Sequence, residues 1–165
     1  MIGYTLLKVF MLWAHLFSAV LFVGGSFFMW LVVVPASHLI TDDEAERTKM
    51  VGRIAKQFGR MINPMLAILV LTGIYNASWY LPSTNDLFDT YTGEILLVKI
   101  ILVVVLLALI YTHNVYFGKR IVKFAAEGKL DELKAVRRKS RVVSMANLLL
   151  MLVILVLATM MQLPP

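Results

Sequence analysis

The few polar side chains inside the long apolar segments of this 165-residue chain are its best candidates for chemistry. A polar group in hydrocarbon costs several kcal/mol unless it is paired, so it marks a functional site by default. At a helical rise of about 1.5 Å per residue, His15 and Thr72 lie roughly 14 Å below the outer ends of their segments, and Asn76 and Lys99 roughly 8 Å below theirs. We therefore expect these four side chains, from three helices, to meet in one layer.

His113 is a further candidate in the third apolar segment. It lies fourteen residues after Lys99, within about 40° on the same helical face. Its depth, roughly 28 Å below the outer end of its helix, differs from that of His15 by roughly 14 Å. In a bundle of straight helices the two imidazoles could therefore not both bind the same metal ion, such as a haem iron. We expect His113, like His38, to serve a second site or to contact lipid headgroups.

The elements that carry these residues are long apolar segments. Hydrophobic residues make up 60% of the chain and charged residues 16%, against about 45–50% and 25% in soluble domains. Four segments, at about 6–34, 62–81, 95–117 and 142–163, are long enough to cross a bilayer, and in lipid they must be helical. The fold class predicted is all-α: one integral membrane domain over 1–165, a four-helix up-down bundle. The segments are expected to be interrupted at Pro35, at Leu81-Pro82-Ser83, at Gly118 and later Gly128, and at Pro164-Pro165.

The charges between the segments indicate an orientation. The loops 36–60 and 118–141 hold 14 of the 16 Lys and Arg residues, with 7 acids. The positive-inside rule then places both loops in the cytoplasm and both termini outside, in a cell (plasma or inner) membrane. Both loops are predicted to hold cytoplasmic helical extensions, the first beginning with a capping box at Thr41–Glu44. This topology accounts for the net charge of +6 with the lipid bilayer as the partner and without nucleic acid; Gly24-Gly25-Ser26 would permit a homo-oligomer.

The sequence also limits the chemistry that is available. It has no cysteine, so thiolate metal sites and iron–sulfur clusters are excluded, and it has no P-loop, dinucleotide fingerprint, HExxH or nucleophile elbow. Thioethers suit Cu(I), but most of the ten methionines are scattered and are better explained as apolar packing. Met11, Met160 and Met161 share the outer face, and these three with His15 form the alternative set of copper ligands.

Several short motifs carry a family resemblance. The segment Tyr91–Lys99 resembles the Gly-x-x-Leu-x-x-Lys stretch of copper-resistance protein D (CopD) domains, and the Leu71–Gly73 step is also similar to that family. His15, followed by Gly24-Gly25 and Pro35, is similar to the related HemJ-type protoporphyrinogen oxidases. The CopD resemblance implies copper passage across the membrane. The HemJ resemblance implies a haem b held by the first-helix histidine and the third-helix lysine, here His15 and Lys99.

Three functions stay open on the sequence. The first is a haem b protein for electron transfer or a small oxidoreduction, with quinol as a possible partner. His15 would be one axial ligand and Lys99 the possible second. Asn76 and Thr72 would orient these ligands by hydrogen bonds. The second is copper transport or resistance. The third is a structural or assembly protein without a cofactor. One departure from CopD domains concerns the last helix, where they often carry a glutamate and this chain has Asn147.

Overall fold

The computed structural model describes residues 2–80 and 86–162, and these residues are almost entirely helical. The helices are α1 (Ile2–Phe28), α2 (Val34–Ile40), α3 (Glu44–Tyr80), α4 (Asp86–Asp89), α5 (Tyr91–Thr112), α6 (Gly118–Ala126) and α7 (Leu130–Met160). Two π-helical turns, Met29–Val33 and His113–Phe117, join α1 to α2 and α5 to α6. The described residues thus contain four long apolar helices that could cross a membrane, which confirms the all-α class.

At two of the predicted interruptions, Pro35 and Gly118, the helix continues instead of ending. A π turn precedes Pro35, and in it the Val34 N–H donates to Met29 O, five residues earlier instead of four. The hydrogen-bond pattern is thus already shifted by one residue where the proline, which has no N–H to donate, joins the helix. At Gly118 the N–H donates to His113 O across the second π turn, and a single glycine costs a helix only about 1 kcal/mol. The first and third long helices therefore continue to Ile40 and Ala126, and Gly128, the later interruption predicted after the third, has a left-handed φ of +68°.

The other two predicted ends, at 81–83 and 163–165, lie outside the described residues. The predicted extensions of the second and fourth spans are helical: α3 begins at Glu44 and runs through Pro64, and α7 begins at Leu130. The predicted cap is wrong in its detail. Asp43 rather than Thr41 caps α3, since its Oδ1 accepts from the N–H groups of Ala45 and Glu46 at 2.7 and 3.4 Å.

The helices pack as two antiparallel pairs. In the first pair His15 of α1 meets Thr72 of α3, and Gly25 lies against Phe58, so residue numbers rise along one helix while they fall along the other. In the second pair α5 packs on α7. We call the end where α1 begins and α7 finishes the termini end. The opposite end is called the basic end, and there α3 is tied to α7 by an ion pair of 3.0 Å between Glu44 and Arg137.

One apolar layer holds the two pairs together. Phe22 of α1, Leu106 of α5, and Leu148 and Met151 of α7 form a buried cluster. Leu66 of α3 and several neighbouring apolar residues pack around it. Most large apolar side chains elsewhere on the spans face outward and are exposed, as expected of helices whose outer surface meets lipid. The buried polar groups lie on either side of this layer.

Candidate functional site

His15 lies in the contact between α1 and α3. Its Nδ1 is 3.0 Å from Leu69 O and 3.0 Å from Thr72 Oγ1. A carbonyl oxygen can only accept a hydrogen bond, so Nδ1 carries the proton in this arrangement. In the neutral ring Nε2 then keeps its lone pair, which is the form of histidine that binds a metal.

The Thr72 side chain, like the His15 ring that it contacts, is held by hydrogen bonds to the backbone of α3. Its hydroxyl donates to Ile68 O at 2.6 Å, one turn earlier in α3, which leaves its lone pairs free to accept from His15 Nδ1. The side chain is buried, with 6% exposed. The next residue, Gly73, makes room for the imidazole: a Cβ there would come within 3.1 Å of His15 Cε1.

Asn76 follows one turn later on the same face of α3, and its surroundings differ. Only 7% of it is exposed, yet neither its Oδ1 nor its Nδ2 has a hydrogen-bond partner among the described residues. An unpaired amide in such a place is costly, and in native proteins it calls for a specific cause. A ligand that Asn76 would contact provides one.

The register of α1 against α3 places Met11 level with Asn76. Lys8 Nζ lies 5.2 Å from the centre of the Trp79 ring, and His15 lies on Thr72. Met11 stands midway between Lys8 and His15, and Asn76 stands between Thr72 and Trp79. The half-buried thioether of Met11 is thus carried at the height of the unpaired amide.

Lys99 lies level with His15 on the neighbouring helix pair. Phe22 and Leu106 share the apolar layer, and His15 and Lys99 each precede their layer residue by seven positions on parallel helices. Four residues predicted from the sequence are therefore at comparable height, and a hydrogen bond joins His15 to Thr72 directly.

The remaining copper candidates of the sequence are on α7. Met160 is the last residue of that helix and Met161 follows it, both half-buried at the termini end. Among the described residues no group of three or more His, Cys, Asp or Glu could hold a metal ion. A metal in this layer would therefore need thioether or amide donors in addition to the imidazole of His15.

His113 belongs to a second polar cluster, on the basic side of the apolar layer. Its Nε2 lies 2.9 Å from Ser140 Oγ and 3.0 Å from Ser144 Oγ, both on α7. Asn147, one turn further along the same face, is 8% exposed, and its Oδ1 has no partner among the described residues. His38, the third histidine, is exposed.

Sequence reasoning missed this cluster because serine in a membrane helix usually bonds to its own backbone. The available signal was spacing: Ser140, Ser144 and Asn147 recur at four and three residues, which puts them on one helical face. It also missed the contact of 4.0 Å between Ser18 Oγ and Met65 Sδ, since neither residue stands out alone.

The fold and the site define a multi-pass membrane protein with buried polar clusters between its helices. The model of the family Copper resistance protein D (CopD) matches residues 52–161, two thirds of the chain, and the chain belongs to this family. The match includes Thr72, Asn76, Lys99 and His113, whereas α1 with His15 lies outside it. Neither the curated proteins nor the solved structures give a significant match.

Proposed function

We propose that this CopD-family protein handles copper, binding the ion in the polar cluster at the termini end and passing it across the membrane. The family match links the chain to copper resistance. The single observation that carries the site is that His15, whose Nε2 is left as an acceptor, contacts Thr72 one turn from Asn76, a buried amide that has no partner among the described residues. Both groups lie where water is scarce and a bound ion would satisfy them.

The proposed ligands combine a nitrogen with sulfur. His15 Nε2 supplies the imidazole and Met11, at the height of Asn76, the nearest thioether by register, with Met160 and Met161 as further thioethers from α7. Soft thioethers and imidazole both suit copper. His15 Nδ1 donates hydrogen bonds to Leu69 O and Thr72 Oγ1, and these bonds fix the tautomer and orientation of the ring, as such bonds do in metal-bound histidines.

A substitution at Lys99 distinguishes the proposed copper function from the haem function. A lysine ammonium at the height of His15 repels a cation, so Lys99→Leu should retain or strengthen copper binding. If the two residues instead were axial ligands of one haem, the same substitution would remove a ligand and weaken haem binding. The two functions thus predict opposite results for one variant.

The experiment is a copper titration of the detergent-purified protein under reducing conditions, with a chelator of known affinity as competitor. Wild-type protein should bind copper, His15→Ala should lose the ion at this site, and His38→Ala, which changes an exposed histidine, should bind as wild type does. Equal copper binding by the wild-type protein and His15→Ala would refute this site.

A haem b protein is the second candidate function. The shared height of His15 and Lys99 favours it. The groove that the structure describes between α1 and α3, about 350 Å³ in volume, is lined by apolar residues between Val20 and Gly25 and between Phe58 and Met65, and includes neither His15 nor Lys99. The visible spectrum decides: a Soret band that shifts on reduction and disappears in His15→Ala supports haem, whereas a colourless protein with bound copper supports transport.

We also propose that the basic end is cytoplasmic and both termini are outside, in the cell membrane. The support is the concentration of Lys and Arg at that end. Because the chain has no cysteine, single cysteines introduced as Lys129→Cys and Gln162→Cys report the orientation directly. In intact cells a membrane-impermeant maleimide should label the second variant and spare the first; the reverse pattern would overturn the orientation.

A further inference from the structure

Two methionine sulfurs lie between the two polar clusters. Met65 of α3 is about two turns from Thr72 toward the basic end, and its Sδ is the contact of the Ser18 hydroxyl, a side chain only 1% exposed. Met151 of α7, 4% exposed, belongs to the apolar layer, one turn from Asn147. The central part of the bundle thus offers two thioethers.

There is space for an ion beside one of these sulfurs. Met65 lines the groove of about 350 Å³, and Gly24 and Gly25 lie on the wall opposite. The ring of Phe58 fills the place that a side chain at Gly25 would occupy. The Met65 thioether, which faces this groove, therefore has room to change rotamer and reach a ligand, as the flexible methionine side chain does readily.

The charges of the sequence limit which ion could pass this layer. All ten acidic residues fall within 42–46, 86–94 and 127–132, so none lies in the middle of a long helix. The cost of bringing an ion into a medium of low dielectric constant rises with the square of its charge, and carboxylates would normally compensate a divalent ion. Neutral sulfur donors can hold a monovalent soft ion without that compensation.

We infer that the ion handled by this protein is monovalent Cu⁺ rather than Cu²⁺, and that the thioethers of Met65 and Met151 bind it between the two polar clusters. This inference rests on the proposed copper function and deepens it. An ion held by His15 and Asn76 at the termini end would pass Met65 and Met151 before it reaches Asn147 and the basic end. No electron is transferred, because copper enters in its reduced state.

The experiment measures ion uptake by the full chain in vesicles of phosphatidylcholine and phosphatidylglycerol that contain a Cu⁺-sensitive dye. Copper is supplied either with ascorbate, as Cu⁺, or without reductant, as Cu²⁺ with ascorbate trapped inside so that an entering ion is detected. Wild-type vesicles should take up Cu⁺ and not Cu²⁺. Ag⁺, a monovalent soft ion, should compete with Cu⁺.

Two variants test the sulfurs while keeping side-chain volume. Met65→Leu and Met151→Leu should each lower Cu⁺ uptake by about tenfold or more, a loss of the size seen when a supporting metal contact is removed. Met145→Leu is the matched control, since Met145 is on α7 but 49% exposed, and it should transport at the wild-type rate. Thermal unfolding of the three variants verifies that each is folded.

The outcomes separate this inference from the proposed function. Uptake of Cu²⁺ as fast as Cu⁺, or Cu⁺ uptake that is unchanged in both Met65→Leu and Met151→Leu, would overturn the inference and leave copper transport standing. Wild-type protein that neither binds nor transports either ion would overturn both.

Discussion

Replacing Asn76 by leucine should stabilise the copper-free protein and abolish copper binding at the termini end. Asn76 is 93% buried and neither polar atom of its amide has a partner in the part of the chain that the structure describes, and an unsatisfied buried polar group costs about 1–3 kcal/mol. Leucine has the same branched shape and number of side-chain heavy atoms but no polar atom, so that cost disappears. The free energy of unfolding should rise by about 1–3 kcal/mol, which corresponds to roughly 2–4 °C in Tm per kcal/mol.

Thr72→Val is the matched control, because it makes the same polar-to-apolar change one turn away at equal burial. Thr72 differs from Asn76 in having partners: its oxygen is 3.0 Å from His15 Nδ1 and it donates to Ile68 O. Removing those bonds should lower the free energy of unfolding by about 1 kcal/mol. The two substitutions should therefore shift the Tm in opposite directions.

The assay is thermal unfolding of the detergent-solubilised protein, stripped of metal and then titrated with Cu⁺. Wild-type protein should gain stability with copper, since a ligand that binds only the folded state stabilises it, and Asn76→Leu should gain less, because only the proposed thioethers of Met65 and Met151 remain to bind the ion. If Asn76→Leu lowers the Tm of the metal-free protein as Thr72→Val does, Asn76 has a structural partner and the reasoning fails.

Three further experiments test a close helix contact, a left-handed glycine and an ion pair. Gly93→Ala should cost about 1–3 kcal/mol in thermal unfolding, because its Cβ would overlap the backbone carbonyl of Asp86 where α4 lies against α5; an unchanged Tm would contradict that contact. Gly128→Ala should cost about 1–2 kcal/mol from conformation alone, since φ is +68° and the Cβ meets nothing within 4 Å, and Gly128→Asn should cost less. A double-mutant cycle on Glu44 and Arg137 should give a coupling energy of about 1 kcal/mol or less, which decreases as the salt concentration rises. A larger coupling energy would mean that the ion pair is better shielded from water than its exposure indicates.

The proposed copper site could be predicted only in part from the sequence. Depth along each helix follows from residue number, so His15, Thr72, Asn76 and Lys99 could be assigned to one layer in advance. Which of them would be hydrogen-bonded could not, because partners depend on how the helices are rotated and on their register. His15 is bonded to Thr72, whereas Asn76, one turn away and as buried as Thr72, has no partner among the described residues.

The same distinction holds for the helices. Segment length and hydropathy predicted the four long helices, since the energy of placing apolar residues in lipid is summed along the chain and needs no knowledge of neighbours. Prediction from single residues was less successful where the backbone could adopt another conformation. Pro35 and Gly118 were expected to interrupt helices, but the π turns before them let each helix continue.

The sequence by itself determined that this chain is an all-α protein with four apolar helices, with its basic residues gathered in two loops and its acids kept out of the helix centres. The tertiary structure decided which side chains meet: His113 with the serines of α7, Met65 with Ser18, and His15 with Leu69 O. The physical reason is that burial in lipid depends on composition along one helix, whereas a hydrogen bond or a metal ligand set requires atoms from several helices within about 3 Å of one another.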